Sequence, residues 1–487
     1  MISRLYKPTP QLVLFATFGG TSALNYAFGL AMGWILRPGD YGLLAFAQTL
    51  VLVGGMVMNS AFSMSLARAV ARAEEPRKRD ALVRGTLLAN LVPATAMSAV
   101  IVVLFAAGPL RDGFERWFVV AVVALCFPIL SMVKTIGGCA QGSNRFSIVA
   151  GVDLTEMSCK TLSGGTLALL GFGASGAIVG FLVGAVCAVM LGFRQLTHKI
   201  GVQLRGSLKL PDPRVSVAIF AAMLGLSMLV NLDLIALKLL SSERAFVGYY
   251  QAGLMLSNAP YYLVLAAMTP ILFVQLARYG DVSATQQKLG ETLALTAALI
   301  LPLEIMLMAV PRLALITFFP DVYALGAPAL RILALGNSLL LLALIFAITF
   351  QAIGRAKIPA LILLVIVLVE PFALWAAVPS WQMVGAAWVF VAVTFLALFC
   401  LVAAYLRESG VACLRRVAPW VIKYALAVGV GLAAGRLALG LDVVPAVGLG
   451  GVCYLLVATL LGIVRPLAML PRTGASVRKF AAHVEEE

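Results

Sequence analysis

Three ionisable side chains follow one another at helical spacing inside an otherwise apolar stretch. Asp153, Glu156 and Lys160 stand at positions i, i+3 and i+7, so a helix places all three on one face. Charges at bilayer depth are costly and mark a water-filled pathway or a paired site. Two interpretations stay open. The three residues form a functional group that faces a polar lumen, or Glu156 and Lys160 only neutralise each other.

Further carboxylates lie in other apolar stretches, at Asp233, Glu304 and Glu370. Glu304 follows Pro302, and a proline in a helix frees a backbone carbonyl that can help a carboxylate to hold a cation. Together with Asp153 and Glu156, these acids are the candidate coupling sites. The coupling ion that such sites would take is sodium or a proton.

Basic side chains in or beside the apolar stretches are the candidates for binding an anionic group. Lys134 and Lys238 lie close enough to helix ends to snorkel, and a simple interfacial position is favoured for Arg37 and Arg331. The predicted span over 246–277 is unusually polar and aromatic, with Tyr249, Tyr250, Gln251, Asn258, Tyr261 and Tyr262. These residues would form a sugar-binding wall, and an interface belt explains Tyr249 and Tyr250 as well. The candidate binding residues are Lys160, Lys134, Arg37, Lys238, Arg331 and Tyr261.

The elements that position these residues must be membrane helices. The chain has 487 residues, is 62% hydrophobic and 12% charged, and has a mean hydropathy of +1.01. A water-soluble protein of this length does not have such a composition, so the chain is a polytopic membrane protein. The net charge of +15 comes mainly from alternate loops, which argues against nucleic acid as a partner.

Metal and histidine chemistry are not expected. The histidines are His198 and His483, both in polar segments, and the seven cysteines lie in or beside apolar runs without paired spacing. We interpret the cysteines as small buried hydrophobic residues. No cofactor is therefore expected apart from a coupling ion.

About fourteen stretches are long and apolar enough to cross a bilayer. Leu313 to Pro320 is apolar but too short, so we place it in the outer interface. The predicted spans are 12–36, 41–67, 82–107, 117–140, 147–170, 176–196, 215–240, 246–277, 289–310, 325–353, 358–378, 383–406, 417–438 and 444–464.

The chain contains a parallel internal repeat. Residues 25–68 and 231–278 each contain an Asn in an apolar helix, a polar turn, a Gly/Tyr pair and a closing Leu-Ala-Arg. The motifs ending at Arg145 and Arg355 each lie 77 residues after that closing Arg, so the halves are offset by about 210 residues. With this offset Lys160 corresponds to Glu370, and an attraction between them would make a bistable latch.

The repeat predicts an all-α polytopic membrane protein with two six-helix bundles around a central cavity, followed by a C-terminal helical hairpin. The bundles are related by a parallel pseudo-twofold repeat. The segment between them would be a solvated linker or would lie on anionic headgroups. The predicted divisions are a first lobe over 1–196, a linker over 197–214, a second lobe over 215–406, and 407–487 for the hairpin and tail.

Basic residues set the predicted orientation. Loops on the side of the N-terminus contain roughly 26 Lys and Arg, and the opposite loops contain roughly 7. Because positive residues are retained in the cytoplasm, both termini are expected there. The loops outside the membrane are all short, so no extramembrane catalytic domain is expected.

Several segments resemble a family of transporters. Residues 231–240 (NLDLIALKLL), 247–256 (VGYYQAGLML), 318–336 (FFPDVYALGAPALRILALG), and the early 36–46 (LRPGDYGLLAF) are similar to Wzx-type polysaccharide repeat-unit flippases. These flippases belong to the multidrug/oligosaccharidyl-lipid/polysaccharide superfamily. The resemblance covers essentially the whole chain and is more specific for the superfamily than for a substrate.

The resemblance implies two lobes around a cavity that opens alternately to each side of a bacterial inner membrane. It also implies movement of an undecaprenyl-diphosphate-linked oligosaccharide from the cytoplasmic to the outer leaflet, by a membrane protein that is not an enzyme. Membrane lipids, a polysaccharide polymerase and glycosyltransferases are the implied partners. A cation-coupled multidrug exporter and a lipid II flippase of the same superfamily are the alternatives. A membrane polymerase or glycosyltransferase is disfavoured because no large outer loop is present.

Overall fold

The structure is a computed structural model. It describes residues 10–260 with gaps at 59–62, 74, 109, 115, 204–205 and 211–212, and residues 302–409 with gaps at 353–354 and 356. Isolated positions are also described at 289, 293 and within 423–460. Regular structure in these ranges is helical, and no strand occurs among the described residues. This is the structure expected in a bilayer, where a helix satisfies its own backbone hydrogen bonds.

Nine α-helices are described up to residue 240, together with short π-helical turns at Ala168–Phe172 and Leu196–Ile200. Prolines begin several of them, because the first turn of a helix has backbone N–H groups without intrahelical acceptors. The helices are α1 (Pro10–Ile35), α2 (Pro38–Met58), α3 (Met64–Ala71), α4 (Pro76–Ala106), α5 (Arg111–Phe114), α6 (Trp117–Gly142), α7 (Phe146–Leu167), α8 (Gly173–Gln195) and α9 (Pro213–Leu240).

A 3-10 helix over Asp321–Gly326 and five more α-helical segments are described between residues 241 and 409. The last of them contains a break at Gln382, where φ is 48° and ψ is −131°. The segments are α10 (residues 244–260), α11 (residues 302–309), α12 (Pro311–Phe318), α13 (Ala327–Ala352) and α14 (Lys357–Ser409).

Six continuous helical stretches among the described residues are long and apolar enough to cross a membrane, and one of them contains both α7 and α8. They lie in the ranges 38–58, 76–106, 117–142, 146–200, 321–350 and 357–408. A multi-pass membrane protein is therefore confirmed. The total of about fourteen spans and the pseudo-twofold arrangement stay predictions.

Most predicted spans in the described ranges coincide with observed helices. The predicted span over 41–67 is described as α2 and α3, and residues 59–62 between them lie outside the described residues. The predicted break between 378 and 383 is a sharp kink at Gln382 within α14. The short apolar segment at 313–320 is largely the short helix α12, as its length predicts. The predicted spans at 417–438 and 444–464 lie mostly outside the described residues.

The chain divides into two compact units. The first unit comprises Met1–Leu256, Arg312–Gly336 and Lys357–Ala397, and the second comprises Ser257–Pro311, Asn337–Ala356 and Leu398–Glu487. This division follows packing and does not test the predicted lobe boundaries.

Close helix packing in the first unit depends on glycine. A Cβ on Gly180 would lie 2.6 Å from the Gly164 Cα, and one on Gly184 would lie 2.5 Å from the backbone carbonyl oxygen of Glu156. Because Gly180 and Gly184 carry no side chain, α8 approaches the backbone of α7 closely. This contact positions the charged face of α7.

Candidate functional site

Lys160 occupies a closed environment in the first unit. It is 4% exposed, and its Nζ donates a hydrogen bond to Asn25 Oδ1 of α1 at 2.8 Å. The ammonium also lies 5.0 Å from the ring centroid of Phe28 and 4.5 Å from that of Phe181. An amide oxygen and two aromatic faces therefore stabilise a cation deep within a helix bundle.

Lys134, Asp153 and Glu156 form a second set of charges beside Lys160. Lys134 on α6 interacts electrostatically with Glu156 and Asp153 on α7, and Glu156 also interacts with Lys160. All three residues are half-buried. We call Lys134, Asp153, Glu156 and Lys160 the α7 charge group. It contains two cations and two anions and has no formal net charge.

The neutralising pair considered from the sequence is not a direct ion pair. Among the described residues, Lys160 and Glu156 form no salt bridge, and the ammonium bonds Asn25 instead. Glu156 remains close enough to act on Lys160 through space. The charge interaction that the i, i+4 spacing predicts is therefore present, but the hydrogen bond comes from a residue 135 positions earlier.

Two buried carboxylates form a separate group in the same unit. Asp233 on α9 accepts a hydrogen bond from the Tyr250 hydroxyl of α10 and another from the Leu234 backbone N–H at 2.7 Å. Glu370 on α14 is fully buried and interacts electrostatically with Asp233 and Tyr250. Neither carboxylate oxygen of Glu370 has a hydrogen-bond partner within the described part of the chain. We call Asp233, Tyr250 and Glu370 the acidic pocket.

The acidic pocket has the composition of a cation or proton site. A buried carboxylate whose oxygens lack donors is stabilised by a bound cation or by a proton. A second carboxylate nearby strengthens the attraction for positive charge. In the ranges that the structure describes, no group of three or more His, Cys, Asp or Glu residues has the arrangement of a metal centre.

Glu304 belongs to the second unit. It lies on α11 and is fully buried, and neither of its oxygens has a hydrogen-bond partner among the described positions. Much of the surrounding sequence, 261–288 and 294–301, lies outside the described residues. Glu304 therefore stays a predicted coupling residue.

The remaining predicted binding residues are Arg37, Arg331, Lys238 and Tyr261. Arg37 and Arg331 are exposed, which agrees with positions near helix ends. Lys238 is 6% exposed, so its side chain is enclosed by protein although the sequence favoured snorkelling. Tyr261 lies outside the described residues. Tyr249 and Tyr250 are buried within the first unit, where an interface belt does not apply to them.

Two contacts in the candidate site were not predicted from the sequence. Asn25 was recognised as part of the repeat but not as the partner of Lys160, and Tyr250 was not linked to Asp233. An Asn inside an apolar helix is a signal for a buried polar contact. It does not identify which distant residue makes that contact.

Comparison with known proteins gives a consistent picture. A family described as "Polysaccharide biosynthesis protein" matches residues 31–324. No curated protein matches the chain significantly in sequence.

The fold is similar to solved membrane transporters. The structure titled "Lipid II flippase MurJ, inward closed conformation" gives a TM-score of 0.69 at 12% identity, covering 93% of this chain and 99% of that one. An inward-facing multidrug resistance MATE family transporter of the MOP superfamily gives a TM-score of 0.60 at 16% identity, covering 82% of this chain and 95% of that one. An outward-facing MATE family structure gives a TM-score of 0.54 at 16% identity, covering 83% of this chain and 97% of that one.

At these identities the solved structures establish the fold alone. The family match is stronger evidence, because it spans more than half of the sequence. The resemblance found in the sequence is confirmed by this match and by the shared fold. The chain is a multi-pass helical membrane protein and belongs to the polysaccharide biosynthesis protein family.

Proposed function

We propose that this chain is a flippase and not an enzyme. It moves an undecaprenyl-diphosphate-linked oligosaccharide from the cytoplasmic to the outer leaflet by alternating access, for assembly of a surface polysaccharide. The proposal rests on the α7 charge group, which lies within the membrane helices of a member of the polysaccharide biosynthesis protein family. Two cations and two anions on membrane-spanning helices require either a polar pathway or mutual compensation.

The physics of the substrate supports such a pathway. A diphosphate carries about two negative charges, and each moves outward downhill by roughly 2.3 kcal/mol per 100 mV of negative-inside potential. The protein must therefore reduce the cost of desolvating the headgroup and sugars, while the lipid tail stays in the bilayer. Basic groups offset the phosphate charge. Lys160, Lys134, Arg37, Lys238, Arg331 and Tyr261 are the proposed substrate-binding residues.

The proposed architecture has about fourteen spans, with two repeated six-helix bundles around a central cavity and a C-terminal hairpin. Both termini face the cytoplasm of a bacterium, and the protein resides in the inner membrane. The excess of basic residues in alternate loops supports this orientation. A polysaccharide polymerase and glycosyltransferases are the proposed protein partners.

The acidic pocket is the favoured place for coupling. Sodium or a proton would bind Asp233 and Glu370, because their buried carboxylates need positive charge. Glu304, Asp153 and Glu156 are further proposed coupling residues. The need for an ion can be tested by removing the sodium gradient and the proton gradient separately.

Transport in proteoliposomes tests the proposal. The purified chain is reconstituted with a fluorescent undecaprenyl-diphosphate-linked oligosaccharide, and a membrane-impermeant quencher measures the fraction in each leaflet. We expect fast exchange compared with protein-free liposomes. A chain that exports ethidium under a cation gradient and leaves the lipid in place would be a multidrug exporter. Preference for lipid II over the oligosaccharide lipid would also reject the proposed substrate.

A further inference from the structure

The segment after α8 is held on the first unit. We call the described residues 201–203 and 206–210 the strap. Arg84 of α4 donates hydrogen bonds to two backbone carbonyl oxygens of the strap. Its Nε bonds that of Ser207 at 2.9 Å, and its Nη1 bonds that of Gln203 at 2.5 Å. A guanidinium that binds two backbone carbonyls at once fixes their separation and orientation.

Three further contacts hold the strap against the start of α4. Asp80 Oδ2 accepts a hydrogen bond from the Gln203 backbone N–H at 3.1 Å, and the Lys209 N–H donates to the Ala81 oxygen at 3.0 Å. A Cβ on Gly85 would lie 2.1 Å from the Lys209 oxygen, so only glycine permits this approach. The strap is therefore a fixed part of the first unit and not a freely solvated tether.

The strap also shares a buried core with several helix ends. Val202 packs in one hydrophobic cluster with Leu66 of α3, Leu82 of α4, Ile148 of α7 and Leu196 after α8. The sequence predicts that these helix ends face the cytoplasm. The cluster holds them together at one end of the first unit. Exposed basic residues at these ends and on the strap are Arg68, Arg72, Arg77, Lys78, Arg145, Arg194, Lys199 and Lys209.

Acidic charge is scarce on this basic end. Among the described residues of the same segments, Glu75 is an exposed acid, and Asp80 is buried and paired with Arg79 at 2.9 Å. Apolar surface is also present, since Leu208 and Leu210 on either side of Lys209 are each 59% exposed. A basic surface with exposed leucines fits the region between lipid headgroups and acyl chains.

We propose that the strap and the surrounding basic end bind anionic lipid headgroups of the cytoplasmic leaflet. Leu208 and Leu210 enter the headgroup region, and Lys78 and Lys209 contact lipid phosphates. Juxtamembrane Lys and Arg residues are attracted to anionic lipid at short range. A second copy of the chain fits less well, because two such basic ends would repel each other. This inference concerns the membrane surface and does not depend on the transported substrate.

Lipid titration of the detergent-solubilised full chain tests this inference. Thermal unfolding is measured with phosphatidylglycerol, with phosphatidylcholine and with inorganic phosphate. A ligand that binds only the folded state raises Tm in a saturable way. We expect phosphatidylglycerol to raise Tm more than the other two, with a smaller rise at high salt because exposed charges are screened.

Three double variants separate this surface from general charge effects. K78Q/K209Q should weaken phosphatidylglycerol binding by about tenfold or more. R111Q/R116Q removes the same charge from two exposed positions, one at the start of α5 and one just after it, and should leave binding unchanged. L208S/L210S should weaken binding without any change of charge.

Several results would overturn the proposal. They are a rise in Tm with phosphatidylcholine or with inorganic phosphate that equals the rise with phosphatidylglycerol, or a loss of phosphatidylglycerol binding in R111Q/R116Q that equals the loss in K78Q/K209Q. A concentration-dependent dimer that L208S/L210S disrupts would assign the surface to a second copy instead. Each of these results is independent of whether the chain flips lipid in proteoliposomes.

Discussion

Lys160 is the residue whose environment constrains the mechanism most. Its ammonium is enclosed by Asn25, Phe28 and Phe181, which come from two other helices. A buried cation with one strong acceptor remains available to a competing anion if the surrounding helices separate. Binding of the diphosphate by Lys160 therefore requires α1 to move away from α7.

Replacement of Lys160 by methionine tests this role. Met keeps an unbranched apolar side chain in contact with the two rings but removes the charge and the hydrogen bond to Asn25. We expect a loss of about 1–2 kcal/mol in the free energy of unfolding and a loss of flipping of about tenfold or more. Lys199→Met, at an exposed position, is the control. Full flipping in the Lys160 variant would remove this residue from the mechanism.

Replacement of Glu370 by glutamine tests the acidic pocket. Gln has nearly the same shape but cannot hold a cation by charge. Because both Glu370 oxygens lack partners among the described residues, we expect Tm to be unchanged or higher without the coupling ion. Stabilisation by added sodium or by protons should be lost, and transport should fall about tenfold. Ion-dependent stabilisation equal to that of wild type would exclude Glu370 as a ligand.

A matched variant controls for the change of charge. Glu243 is an exposed acid that precedes α10 in the same unit. Glu243→Gln should keep both the ion-dependent Tm and the transport rate. If it reduced both as strongly as Glu370→Gln does, the effect would be one of overall charge and not of a binding site.

The sequence predicted which residues are chemically important better than it predicted their partners. Helical spacing placed Asp153, Glu156 and Lys160 together, because that relation is local. The bond from Lys160 to Asn25 joins residues 135 positions apart, so it depends on how α1 packs against α7. The contact between Tyr250 and Asp233 crosses a turn between two helices and depends on the same kind of packing.

Helices α2 and α10 lie in corresponding parts of the predicted repeat and meet at glycines. A Cβ on Gly42 would lie 2.8 Å from the Val247 Cβ, and one on Gly248 would lie 1.9 Å from the Pro38 oxygen. Nearby, Tyr41 and Tyr323 pack edge to face with ring centroids 5.7 Å apart. The two helix starts are therefore in close contact, and a side chain at either glycine would separate them.

Gly248→Ala tests this crossing. The added methyl group overlaps backbone atoms of Pro38, which cannot rotate away, so we expect a loss of about 1–3 kcal/mol in the free energy of unfolding. Gly55→Ala in α2 is the matched control, because no atom lies within 4 Å of its added Cβ. That variant should be about 0.5–1 kcal/mol more stable, since Ala is the better helix former. Equal thermal stability of the two variants would contradict the packing described for Gly248.

Helix positions were predictable because apolar length and turn residues are local features. Gly171 and Gly173 both have positive φ, at 94° and 57°, and they separate α7 from α8 near the predicted loop. The docked strap was not predictable in the same way. Its attachment depends on Arg84 and Gly85 on another helix, while its composition alone resembles a solvated linker.

At the scale of the whole molecule, the proposed mechanism is alternating access. Contacts between helices close the cavity on one side of the membrane, and they must separate for the cavity to open there. Within the first unit, the start of α2 lies against the start of α10. A Cβ on Gly39 would lie 3.7 Å from the Arg244 Cβ. That separation is within the range that a disulfide bond spans. If alternating access moves the two repeats apart here, a covalent bond between these positions stops transport.

Flipping by the G39C/R244C variant is the most direct measurement of this account. Transport of the fluorescent undecaprenyl-diphosphate-linked oligosaccharide is measured in proteoliposomes before and after reduction, with each single variant as a control for the added cysteine. We predict no flipping while the disulfide is intact and recovery after reduction, with both single variants active throughout. Equal flipping by the oxidised and reduced protein would contradict alternating access at this contact, and no flipping by any form would contradict the proposed function.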